Sequence, residues 1–296
     1  FTISSTDNAV NVNAIDFTQV SAIDAGSSTG DEIVASGSAV NAELTSSNNG
    51  LTASAIGFSN INDADLNNGE LTGTNTDSET FTITSAANAV NVNAIDFTQV
   101  SAINAGSSAG DSIVASGSAV NAELTSSNNG LTASTIDFSN INNADLNDGE
   151  LTGTNGNDET FTITSTDNAV NVNAIDFTQV SAIDAGTSVN DAIVATVAVD
   201  ATLTGTDNAV DASDIAFTNI NTADLNTGVL TGSANADVFA LDAAGLIANQ
   251  ILFTAINSLV DAQGGADDVT GMVGIDWTLT ADNGALSSTP YQFVNI

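Results

Sequence analysis

The chain has 296 residues with 36 Asp plus Glu and no Lys, Arg, His or Cys, a formal net charge of −36. Without clustered cations it has no means of tracking a phosphate backbone or an anionic membrane surface, and without cysteine it forms no disulfide. A hydrophobic content of 42% with 12% charged residues nevertheless marks a chain that folds, since disordered segments are poor in apolar residues.

The chain opens on FTISSTDNAVNVNAIDFTQVSAIDAG at 1–26, text that returns nearly unchanged at 81–106 and 161–186. Periodicity of this kind fixes architecture before any local motif does. It divides the chain into blocks 1–80, 81–160 and 161–238, with a divergent, incomplete fourth block at 239–296. Phe1, Phe81 and Phe161 share one phase, as expected of a segment from a longer repetitive protein. No apolar run reaches the ~20 residues of a membrane span, and residues 1–20 have no basic leader region.

Each block is itself a pair of related units of about 40 residues, as ITSAANAVNVNAIDFTQV (83–100) over LTSSNNGLTASTIDFSNI (124–141) makes plain. Inside a unit, NAVNVNAIDF alternates apolar and polar residues, with Val10 and Val12 on one face and Asn11 and Asn13 on the other, the pattern of a half-buried strand. Ala14 and Ile15 break that alternation as a corner would. Apolar anchors at Ile3, Ile23, Leu44, Leu66 and Ile83 advance by about 20 residues. The expectation is an all-β chain, a β-solenoid or parallel β-helix with coils of about 20 residues and repeats of about 40 and 80. At ~4.8 Å per coil the charges fall about every 2 Å, near the charge density of duplex DNA, which calls for cations. The alternative is a string of β-sandwich domains, one per block.

Asparagines Asn8, Asn48, Asn88, Asn128, Asn168 and Asn208 recur every 40 residues, with Asn68 between. Two readings are open: an inward ladder in which each amide donates to the next, or exposed turn residues tolerant of positive φ.

Only oxygen ligands are on offer, so calcium is the cation to consider. Candidate ligands are the acid-rich turns Asp31 with Glu32, Asp63 with Asp65, and Asp145 with Asp148, together with Asp158. GTNGNDETF at 153–161 is similar to the calcium-binding nonapeptide GGxGxDxUx of RTX proteins at Gly153, Gly156 and Asp158, and GSANADVF (232–239) and GGADDV (264–269) are looser echoes. Diffuse screening of a solvated acidic face is the other reading.

Catalysis finds no nucleophile–base pair, arginine clamp or ordinary transition-metal set here. Carboxylate pairs alone hydrolyse glycosides, but these recur with the repeat, whereas an active site is normally singular. A non-enzyme is expected. Thr-x-Thr text such as FTIT at 81–84 and LTGT at 71–74 is read as ordinary strand rather than an ice-binding array.

The stretch FSNINDADLNNGELTGTNTDSETFTIT at 58–84 and its copies resemble the β-strand repeats of giant secreted bacterial surface proteins, the filamentous-haemagglutinin-like and large RTX-type adhesins. That resemblance implies export, extracellular display and a structural role in a fibre, filament or cell-surface layer. Open solenoid ends expose unpaired strand edges, so the chain itself is the expected partner, in a head-to-tail or lateral homopolymer. The alternative the resemblance implies is an adhesin stalk or module recognising glycan or another cell, its receptor site near Trp277 and Tyr291 in the fourth block.

Overall fold

The computed structural model describes residues 1–296 except 85, 165–166, 258, 262, 264–266, 272–277, 280–285, 289–290 and 295–296. Among the described residues there is no helix, and the strands stack as a β-solenoid of about 8 turns. Two compact units are present: Phe1–Gly149 with Ala174–Thr178, and Glu150–Asn173 with Gln179–Ile296.

In the first unit the strands form two facing stacks. The first runs from Ile15–Thr18 through Ala9–Val12, Thr2–Ile3 and Glu32–Ala35 to the leading half of Asp63–Thr72. It continues through the leading half of Ile95–Asn104, Val90–Val92 and Thr80–Ile83 to Ser112–Ala115. The second runs from Ala22–Asp24 through Ile56–Ser59, Leu51–Ala53 and Ala42–Leu44 to the trailing halves of Asp63–Thr72 and Ile95–Asn104. Ile136–Ser139, Leu131–Ala133 and Ala122–Leu124 complete it.

The order repeats a simple rule. Coils add in parallel, then a three-stranded antiparallel meander such as Thr80–Ile83, Val90–Val92 and Ile95–Asn104 steps backwards along the stack. Successive 40-residue units place this meander on alternate stacks, which is why the sequence shows both a 40- and an 80-residue period. Pairing of Asp63–Thr72 in block 1 with Ile95–Asn104 in block 2 carries the sheet across a block boundary. That continuity excludes one sandwich domain per block.

Coil length differs from the sequence expectation of about 20. Thr80 pairs with Ser112 and Ser112 with Asn143, offsets of 32 and 31, while Ala42 pairs with Leu71 at 29 and Ala102 with Asp137 at 35. The 20-residue rows were steps from one stack to the other: Ile3 lies in the first and Ile23 in the second. The second unit follows the same register, with Thr160 on Ala192, Ala192 on Thr222 and Thr222 on Leu252.

Meanders reverse through two-residue turns with both residues left-handed, for example Asn93 (φ 50) and Ala94 (φ 61), or Ser134 (φ 48) and Thr135 (φ 62). This is the type I′ geometry that matches strand twist. The break at Ala14 and Ile15 is therefore a hairpin turn at Asn13 and Ala14 (φ 50 and 62) rather than a solenoid corner. Close approach of backbones also demands glycine at Gly69, where a Cβ would lie 1.9 Å from the Val40 carbonyl oxygen.

The core lies between the stacks and is anchored by one edge-on phenylalanine pair per repeat. Phe1 meets Phe58 at 6.1 Å, Phe81 meets Phe138 at 6.2 Å and Phe161 meets Phe217 at 6.1 Å between ring centroids. Phe239 and Phe293 keep the pairing at 5.6 Å in the divergent block. Such a pair is worth about 0.5–1.5 kcal/mol beyond its burial.

The asparagine row is present but shifted by one residue in alternate units. Asn8, Asn49, Asn88, Asn129, Asn168 and Asn208 all sit at φ 55–58. Asn48 and Asn128, chosen from the 40-residue spacing, are exposed neighbours. No amide donates to the next asparagine. Instead Asn49 Nδ2 donates to the carbonyls of Ile61 (2.8 Å) and Ala94 (3.0 Å), and Asn8, Asn88 and Asn129 repeat the arrangement with Val20 and Ala55, Val100 and Thr135, Ile141 and Ala174. Each thus closes its own meander and ties it to the type I′ turn of the next. Asn68 (φ 65) is exposed at a register irregularity inside the strand Asp63–Thr72.

Asn49→Ala loses two hydrogen bonds and a residue suited to positive φ, so it should lower unfolding free energy by about 1–3 kcal/mol. Asn48→Ala should change it by less than about 0.5 kcal/mol; equal effects in urea titrations would contradict the assignment.

Candidate buried carboxyl sites

A strand that must bury one face and offers no cation leaves few options for an acid. Most acids here stand on the outer face. Of the candidates from sequence, Glu32 and Asp63 become Cα partners on adjacent strands, and Asp63 is in turn partnered by Asp96. Asp65 accepts from the Asn67 backbone N–H (2.8 Å) and the Gln99 amide (2.6 Å). Asp145 accepts from the Asn147 N–H (2.9 Å), and Asp148 is exposed and left-handed (φ 65) at an irregularity inside the strand Asn143–Thr152. Asp158 is exposed and bonded to Ser188 Oγ and Asn190 Nδ2, donors that hold its carboxyl below the usual range. Among the described residues no three acids converge into a group able to hold a metal ion. The RTX-like text therefore folds as a turn feeding the strand Thr160–Ile163.

Spacing did not reveal the acids that go inside. Glu79 and Asp111 are 1% and 0% exposed, and Glu159 and Asp191 are 2% and 0% exposed. The Glu79 N–H donates to Asp111 Oδ1 at 2.9 Å, and the Glu159 N–H to Asp191 Oδ1 at 2.8 Å. Glu79 Oε1 accepts from the Thr74 hydroxyl (2.5 Å) and N–H (3.1 Å), and Glu159 Oε1 from the Thr154 hydroxyl (2.5 Å). The remaining oxygens, Glu79 Oε2 and Asp111 Oδ2, are buried without another donor, and so are Glu159 Oε2 and Asp191 Oδ2. Within each pair the neighbouring carboxyl group adds to the rise that burial causes, Glu79 acting on Asp111 and Asp191 on Glu159.

An acid buried beside another acid favours its protonated form, because a bare carboxylate there is both desolvated and repelled by its neighbour. Burial pushes Asp111 up to about 6, with Glu79 beside it adding to the rise. Burial likewise raises Glu159 and Asp191, the latter further through the charge of Asp158. From the third block to the fourth the arrangement persists: the Asp237 N–H donates to Asp267 Oδ1 (2.8 Å), and Asp237 accepts from the Ser233 N–H (2.6 Å) and hydroxyl (3.1 Å).

These pairs are the start of a true ladder. In the following coil the position is taken by asparagine: the Asp111 N–H donates to Asn142 Oδ1 (3.2 Å) and the Asp191 N–H to Asn221 Oδ1 (2.9 Å). The textual signal was available, since an acid directly precedes an apolar strand in GDEIV, GDSIV and NDAIV at Asp31, Asp111 and Asp191. So was Thr74–Glu79, repeated as Thr154–Glu159.

Of the proposed receptor aromatics, Trp277 lies outside the described residues, and Tyr291 is half-buried at the start of Tyr291–Val294. No protein-family model matches the chain, and no curated protein or solved structure is similar to it at a level that shows kinship.

An acid whose pKa is higher folded than unfolded stabilises the fold while it holds its proton. For Asp111 that contribution is full below about 4, the ordinary unfolded value, and is lost as pH rises through about 6. Melting temperature should therefore fall between pH 4 and pH 7. Asp111→Asn, which keeps the acceptor oxygen for the Glu79 N–H and removes the buried charge, should raise stability at pH 7 by about 1–2 kcal/mol and flatten that slope. A variant less stable than the parent at pH 7, with its slope unchanged, would contradict the raised Asp111 carboxyl.

Proposed function

We propose that this chain is a non-catalytic structural segment of a secreted extracellular fibre, filament or cell-surface layer. The observation that carries the reading is recurrence: the phenylalanine pair, the asparagine tie and the buried carboxyl pair each return with the repeat. Features built once per repeat serve the repeat, whereas recognition or catalysis is built once per protein. In a stacked architecture each coil supports only its neighbours, so length grows without a new core.

The charge supports the same reading. A net charge of −36 with no cationic side chain gives a surface without trypsin-type cleavage points and one that repels its own copies. Divalent cations, calcium first among them, offset that repulsion and permit lateral or end-on association. The adhesin alternative would place recognition in residues 239–296, where the only Trp and Tyr lie.

Electron microscopy of the protein with millimolar calcium and after chelation tests the reading. Filaments or layers with an axial spacing near 4.8 Å that loosen on chelation are the expected result. Dispersed particles of constant mass under both conditions would overturn it.

A further inference from the structure

An asparagine followed by glycine is the asparagine most prone to lose its amide, because the next nitrogen carries no shielding side chain and rotates freely enough to reach the asparagine Cγ and close a five-membered imide. The sequence holds five such pairs. Asn283–Gly284 lies outside the described residues, and the other four are Asn49–Gly50, Asn68–Gly69, Asn129–Gly130 and Asn155–Gly156. The fold treats these four differently.

Three are held. Gly50, Gly69 and Gly130 are buried. The Asn49 and Asn129 amides each donate to two carbonyls, and the Gly50 N–H, the group that would attack, itself donates to the Ser47 carbonyl (3.2 Å). Gly69 is wedged against the Val40 carbonyl and is the Cα partner of Val100. A nitrogen fixed in this way does not swing onto the preceding side chain.

Asn155 and Gly156 are both exposed, in the turn between the strands Asn143–Thr152 and Thr160–Ile163. A Cβ on Gly156 would meet nothing within 4 Å, and neither the Gly156 N–H nor Asn155 Nδ2 has a hydrogen-bond partner among the described residues. One group from the next coil does reach the pair: the Thr187 hydroxyl lies 3.2 Å from Asn155 Oδ1 and 3.4 Å from the Asn155 carbonyl oxygen. Donated to Oδ1, that hydroxyl stabilises the negative charge that gathers there when a nitrogen adds to Cγ. The first block has Asn75–Thr76 at this place, where a side chain shields the nitrogen.

We propose that Asn155–Gly156 is a self-modification site that converts without an enzyme to aspartate and isoaspartate, with the Thr187 hydroxyl as the assisting group. The Gly156 nitrogen bonds to Asn155 Cγ, the Cγ–Nδ2 bond breaks, and the proton of the attacking nitrogen leaves with the amide as ammonia. Water then opens the imide. Attack at Cγ breaks the new bond and gives aspartate; attack at the Asn155 main-chain carbonyl carbon breaks the original peptide bond and leaves the chain running through Cγ as isoaspartate. Either product adds a negative charge just ahead of Asp158 and Glu159, and isoaspartate lengthens the backbone at a turn of the stack. The site does not rest on the fibre reading.

The test keeps the intact protein folded at neutral pH for several weeks, then denatures it, cleaves after glutamate, and reads amide-to-acid conversion and isoaspartate in each fragment by mass spectrometry. Cleavage at Glu150 and Glu159 isolates Asn155 from the other pairs. Asn155 should convert at least tenfold faster than Asn49, Asn68 or Asn129, and the four rates should converge in urea. Thr187 is exposed, so Thr187→Val should keep the parent's circular dichroism yet slow Asn155 several-fold, and Thr187→Ser should restore the rate. Conversion at Asn155 no faster than at the held pairs in the folded protein would overturn the site. An unchanged rate in Thr187→Val would overturn the assistance.

Discussion

Everything in this fold follows from backbone pairing between coils about 32 residues apart in a chain that has no cationic side chain to pair with its acids. Inter-strand hydrogen bonds do not depend on side-chain charge, so they stack acidic segments that would otherwise repel. They also dictate where acids go. An acid on the outer phase of a strand stays solvated, while one at the corner before a strand is carried inside beside another acid, where burial favours its protonated form. The Glu79–Asp111 and Glu159–Asp191 pairs are that outcome, reached twice from the same text.

The backward meander is the second consequence. A plain coil adds one strand per stack per turn, but here a type I′ turn folds two further strands back onto the same stack. Left-handed Asn–Ala and Ser–Ala pairs are costly for residues with a Cβ, about 1 kcal/mol or more each. The asparagines at Asn8, Asn49, Asn88 and Asn129 offset this by holding one meander and gripping the turn of another with a single amide. A turn that is strained alone is thereby fixed by its neighbour, so a repeat is most secure between two others.

Strand character, the solenoid and the 40- and 80-residue periods were legible because alternation and repetition are properties of the text. Coil length was not. Anchors such as Ile3 and Ile23 look equivalent in hydrophobicity, and nothing local distinguishes a step to the opposite stack from a full turn. The asparagine row was found to within one residue, since Asn48–Asn49 and Asn128–Asn129 are doublets and only the backbone decides which member is left-handed. Acid-rich turns drew attention by density, yet density does not separate inside from outside: buried Glu159 adjoins exposed Asp158, while buried Asp111 and Asp191 have no acidic neighbour in the text, and only phase in the repeat marks all four. Density reports solvation; phase reports burial.

The central claim is the register of the coils, and a chain without cysteine allows it to be read directly. Thr82 and Val114 are Cα partners on neighbouring parallel strands, at the separation a disulfide spans, whereas Thr82 and Ala102 are related by the 20-residue step. Under mild oxidation the double variant Thr82→Cys with Val114→Cys should form an intramolecular disulfide rapidly and nearly completely, and Thr82→Cys with Ala102→Cys should not. Efficient bridging of the 82–102 pair with none at 82–114 would contradict the 32-residue coil and the architecture built on it.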